Sequence, residues 1–158
     1  MQLTFMKLLI EFIISFVSTV GFGIITNVPR RSLLPGGITG AVAWTAYVIL
    51  NNISGTLFMP NMVAAVIIGI LGNLFAILYK VPVNMIYVPS LVSLVPGGII
   101  YEAMRSFAQQ HVNSTLEYLM STLIVAMALT AGFFVSEWLF RAIRIRMRQL
   151  EIKERANK

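Results

Sequence analysis

Residues 116–140 read LEYLMSTLIVAMALTAGFFVSEWLF, and no charged side chain lies between Glu117 and Glu137. As a helix, a run of that length and composition crosses the roughly 30 Å hydrocarbon core of a bilayer, for which about 20 apolar residues suffice. Immediately upstream, Ser114 and Glu117 have the S-x-x-E spacing of a capping box, so the helix is predicted to start there. Similar runs lie at residues 8–26, 34–50, 62–79 and 85–107. The expected fold is therefore an all-α integral membrane protein of about five transmembrane helices with short connections. A transmembrane β-barrel would instead show alternating segments of about ten residues.

Composition agrees. Of the 158 residues, 58% are apolar and 11% charged, against about 25% charged in soluble domains. The first run has one basic residue before it, Lys7, is interrupted by Glu11 and lacks a small-x-small cleavage signal, so it is expected to be a retained span. The net charge of +6 comes largely from a tail containing Arg141, Arg144, Arg146, Arg148, Lys153, Arg155 and Lys158. Juxtamembrane basic residues fix orientation and touch anionic lipid head groups, which explains the charge without nucleic acid. With five spans and the amino terminus outside, ten of the twelve Lys and Arg residues fall in the cytoplasm, leaving Lys7 and Arg105 outside. The expected organisation is a membrane domain over residues 1–140 and a basic cytoplasmic helical tail over 141–158. Glu137 with Arg141, Glu151 with Arg155, and Glu154 with Lys158 have the i,i+4 spacing of helical ion pairs. Without cysteine, with one histidine and with no phosphate-binding loop, the chain is expected to have no metal, cofactor or catalytic constellation.

The fourth run contains YVPSLVSLVPGGIIY at residues 87–101. Proline removes a backbone donor and glycine adds freedom, so an unbroken helix is not expected there. A break at Pro96, Gly97 and Gly98 opens a second half-helix with Pro96 at its first position. The N–H groups of Gly97, Gly98 and Ile99 then face the break, where about half a positive charge suits a carboxylate. Ser90, Ser93 and Tyr101 are candidates to add hydroxyls to the same substrate site. The alternative is a kinked helix that merely packs closely on its neighbours.

The motif is duplicated. SLLPGGI at residues 32–38 returns as SLVPGGI at 93–99, each copy preceded by a Val-Pro pair, Val28-Pro29 and Val88-Pro89. In five spans the copies would be parallel, the first at the mouth of its helix and the second near the middle. In the first run Glu11, Ser15, Thr19, Gly23 and Asn27 form a stripe that should face protein. Glu11 reads either as a proton-exchanging carboxylate or as a head-group-level glutamate. The third run aligns Ala65, Gly69, Gly72, Asn73 and Ala76, and Asn73 needs a polar partner. Glu11, Asn27 and Asn73 are candidates for a coupling or polar path. Such faces predict association with further copies of the chain or with another subunit.

NVPRR at residues 27–31, then Gly40, Ala41 and Trp44, then VPSLVSLVPGGIIY at 88–101, resemble the threonine/serine exporter (ThrE) family. The match is narrower to its small YjjB-type component, equivalent to the carboxyl-terminal half of the long single-chain exporters, and covers residues 11–144. The resemblance implies a bacterial inner-membrane exporter of small carboxylates such as threonine, serine or succinate. It also implies a larger membrane subunit resembling the amino-terminal half of the long exporters. The rival expectation is a non-transporting membrane scaffold or assembly subunit.

Overall fold

The computed structural model describes residues 5–156, and side chains as far as residue 142. Six helices follow one another: α1 Phe5–Ile25, α2 Arg30–Ser54, α3 Phe58–Tyr79, α4 Asn84–Ser90, α5 Gly97–Ala108 and α6 Val112–Ala156. Four are long and apolar enough to cross a membrane, namely α1, α2, α3 and the Val112–Ala142 part of α6. The chain is an all-helical membrane protein. The fourth predicted run differs from the others, because it forms two helices of 7 and 12 residues, neither of which spans alone. They are joined by turns over residues 91–96, wider than the Pro-Gly-Gly break expected.

Local chemistry sets the ends. Asn27 follows α1 with φ 55°, a left-handed conformation that asparagine tolerates, and Pro29 then precedes α2. Gly55, at φ 60°, terminates α2. Lys80 closes α3 in the same region, and Pro82 disfavours helix at Val81. Between α5 and α6, Gln110 turns at φ 61°, so α6 starts at Val112, two residues before the predicted capping box. Ser114 therefore lies inside the first turn, where the Thr115 hydroxyl donates to the His111 carbonyl at 2.9 Å. The backbone of the tail stays helical to Ala156. The expected Glu151–Arg155 and Glu154–Lys158 pairs lie outside the described side chains.

In packing, α1 lies on α2, α2 on α3, α3 on α6 and α6 on α5, while α4 sits in the angle of α1, α2 and α3. Because α1 and α6 do not touch among the described residues, the row is open there. Close contacts give the directions. A Cβ on Gly132 would meet the Met62 carbonyl and Ala65, one on Gly69 would meet Ser136, and Asn73 reaches Glu137, so α6 runs parallel to α3. Ser90 bonds Gly36, while Pro96 and Gly98 share a cavity with Trp44 and Tyr47, so the path through α4 and α5 runs parallel to α2. The two motif copies thus run parallel, the course expected if both lie in even-numbered spans.

Much of both stripes packs inside the chain, although the buried Thr19 hydroxyl has no hydrogen-bond partner. Ser15, Thr19 and Gly23 are buried, Thr19 against Gly40 and Gly23 against Leu33 and Pro89. On α3, Gly69 receives Ser136 and Gly72 receives the Tyr87 ring. Within the chain, α2, α4 and α6 already cover the buried positions of these faces.

Candidate functional site

After Ser90 the chain descends through successive tight turns, with N–H to carbonyl bonds from Val92 to Pro89, Leu94 to Leu91 and Val95 to Leu91. Pro96 is the residue preceding α5, not its first residue, and has ψ 47°. The Gly97 N–H is taken by the Val95 carbonyl at 2.7 Å, which removes one of the three expected donors. Gly98 and Ile99, in the first turn of α5, retain N–H groups without an intrahelical acceptor.

Those two residues, with Ser93, Leu94, Val95 and Pro96, form one wall of a cavity of about 160 Å³. Trp44 and Tyr47 of α2 supply the opposite wall, Leu57 and Asn61 the start of α3, and Val125 the α6 side. One water needs roughly 10–15 Å³ of such space, so a small solute fits. Trp44 and Tyr47 stack with centroids 5.1 Å apart. Behind them, the Trp44 indole donates to Glu11 Oε2 at 2.9 Å, and the Ser93 hydroxyl lies 3.0 Å from that of Ser15. The Asn61 amide donates to the Leu57 carbonyl at 2.7 Å and is 3% exposed, which holds it at the cavity edge.

Of the expected substrate residues, Ser93, Pro96 and Gly98 line the cavity; Ser90, Gly97 and Tyr101 do not. The buried Ser90 hydroxyl engages the Ile86 and Gly36 carbonyls at 2.7 and 3.0 Å, tying α4 to α2. Tyr101 points outward and is 65% exposed. The candidate polar path is not continuous. Glu11 sits behind the cavity wall, whereas Asn27, 16 positions along the chain, is exposed beyond the other end of α1. Asn73 belongs to a separate cluster with Tyr87 and Glu137. There Glu137 meets α3 and α4, and among the described residues no ion pair joins it to Arg141. Sequence reasoning missed Tyr47 and Asn61 altogether. The aromatic pair at i,i+3 in a glycine-rich helix was the available signal for Tyr47, and Asn61 had none.

The family profile described as "Threonine/Serine exporter, ThrE" matches residues 11–139. The chain belongs to the threonine/serine exporter family. The ThrE match begins at Glu11, contains the break and its cavity, and ends before the basic tail. A relative in Haemophilus influenzae, titled only as an uncharacterized protein, is 27% identical over 106 residues. Those residues are 67% of this chain and 36% of the relative, so the chain spans about a third of the length of that protein. No solved structure matches the chain.

Proposed function

We propose that the chain is one subunit of a two-component secondary exporter that moves small carboxylates, threonine and serine or a dicarboxylate such as succinate, across the bacterial inner membrane. The observation that carries this reading is the cavity at the break, lined by Gly98 and Ile99 of the first turn of α5, whose N–H groups have no intrahelical acceptor, in a chain of the exporter family. A carboxylate satisfies such donors and the positive end of α5 together. Ser93 and Asn61 add polar groups for an amino or hydroxyl substituent, and the Trp44–Tyr47 stack bounds the size of what enters.

The open row supports a partner. With α1 and α6 apart, one side of the bundle is not closed by a helix of this chain, and a larger membrane subunit or a second copy would complete it. The short relative coverage fits a component that works with additional sequence. Transport of labelled threonine, serine and succinate into inside-out vesicles, with and without the larger subunit, tests the reading. Accumulation that needs both proteins supports it. Absence of transport for all three, with both proteins inserted, would leave the scaffold reading instead.

A further inference from the structure

At the opposite end of α3 from the cavity, three helices converge on one carboxylate. The Asn73 amide nitrogen lies 3.1 Å from Glu137 Oε1 and 3.0 Å from the Gly69 carbonyl, and it also touches the Tyr87 hydroxyl. The Tyr87 oxygen is 3.0 Å from both Glu137 Oε1 and the Gly69 carbonyl. These are five contacts. The amide and the phenol together bring only three hydrogens to them. Oxygen lone pairs are left facing one another beside Glu137, which is exposed on the outside of the bundle, an arrangement that is costly where lipid and not water surrounds it. Two of the five contacts join oxygen to oxygen, and the single phenolic hydrogen serves only one of them; one further proton, on the Glu137 carboxylate, serves the other.

The groups are built into the fold. The Tyr87 ring lies over Gly72, where any Cβ would collide with it, and packs 5.2 Å from the Phe133 ring. Gly69 is bare because Ser136 occupies the space of its side chain. Asn73 is six residues, about 9 Å, from the end of α3, and Glu137 falls within the apolar part of α6. The ionisable groups on the elements packed there are Arg141 on α6, Tyr79 and Lys80 at the end of α3, and Tyr87 on α4. No ion pair joins Glu137 to either cation among the described residues.

We propose that Glu137, held by Tyr87 and Asn73, is the proton-binding site that couples this exporter to its energy source. The carboxylate takes up one proton to become the neutral acid, and release returns it to the anion. Tyr87 stands on α4, which leads directly through residues 91–96 to the cavity wall, so a change in its bonding to Glu137 moves the break. A metal cation fits less well, since hard cations take roughly six or more oxygens, whereas Gly69, Tyr87 and Glu137 present three. The proposal rests on the exporter reading, and its test separates the two.

Infrared titration of the purified full-length chain in lipid nanodiscs, in sodium-free buffer, reads carboxyl protonation directly. A band that titrates in the unmodified protein should vanish in Glu137→Gln and move its midpoint in Tyr87→Phe. Glutamine keeps an acceptor for Asn73 and Tyr87, so the helices should still assemble. In vesicles carrying both subunits, Glu137→Gln should lose proton-gradient-driven accumulation yet still exchange labelled for unlabelled substrate. An unchanged infrared titration in Glu137→Gln, undiminished gradient-driven transport, or a requirement for sodium instead of protons would overturn the proposal. If the unmodified pair carries no substrate, the exporter reading fails, and the infrared titration still decides whether Glu137 binds the proton.

Discussion

Glu11 and Trp44 meet where α1 crosses α2, and their hydrogen bond fixes the indole that forms one wall of the cavity. A hydrogen bond to a charged group contributes about 1.5–3 kcal/mol net. Trp44→Phe keeps much of the stacking surface on Tyr47 and removes the donor, so it should lower the unfolding temperature in detergent and slow export. Glu11→Gln keeps an acceptor and should melt close to the unmodified protein; a large loss there would mean that the charge of Glu11 is structural. Gly69 offers a second comparison. Its built Cβ meets Ser136, whereas that of Gly21 meets nothing within 4 Å. Gly69→Ala should therefore destabilise by about 1–3 kcal/mol through overpacking, and Ser136→Gly in the same chain should restore most of the loss. Gly21→Ala should be neutral or mildly stabilising, as helix propensity favours alanine by about 1 kcal/mol. Thermal unfolding of these three variants separates the two glycines.

At the scale of helices, the break governs. Pro96→Ala should let the helix run from α4 toward α5 and pair the Gly98 and Ile99 N–H groups internally. Export should then fall while insertion and assembly persist, and an unchanged export rate would make the break a packing device. Ser93→Ala should do less, because a neutral hydroxyl bond is worth about 0.5–1.5 kcal/mol net. That a break would occur was readable, since proline and glycine carry backbone rules that hold in any context. Its width was not. Residues 91–95 are LVSLV, with no breaker among them, and their turns follow from Ser90 anchored on Gly36 and Leu94 packed with Ala43, Ala64 and Ile68. The start of α6 was misplaced for a similar reason, because a capping-box spacing is local while the left-handed turn at Gln110 decides where the helix begins.

For the whole molecule, the parallel course of α3 and α6 means that α4, the break and α5 together carry the chain back across the bundle. Counting that path as one crossing gives five, and we propose that the amino terminus then lies outside and the tail in the cytoplasm. A carboxyl-terminal reporter should be active in the cytoplasm and an amino-terminal tag accessible from outside; finding both ends on one side would refute the arrangement. Arg105, one of the two basic residues that this arrangement would leave outside, lies 3.6 Å from Glu102, which offsets its charge. Membrane class was legible from run length alone, because the bilayer imposes a fixed span. The cavity's far wall was not, since Trp44, Tyr47 and Asn61 reach it only through contacts between helices distant in sequence.

The repeated heptapeptide has one further consequence. SLLPGGI continues through α2 as helix, with Pro35 inside it and Gly37 beneath Phe16 and Val20, whereas SLVPGGI interrupts the chain and leaves Gly97 and Gly98 with no neighbour within 4 Å of a built Cβ. The copies differ at one position, Leu34 against Val95. Intrinsic preference is therefore nearly the same in both, and the chosen conformation is a property of the surroundings. In equilibrium terms the two forms of the second copy are separated by tertiary contacts alone, and each 1.4 kcal/mol of difference, about one hydrogen bond, changes their ratio by about tenfold. If a solute binds at Ser93 and Gly98 as proposed, contacts of that size would bias which form the segment takes.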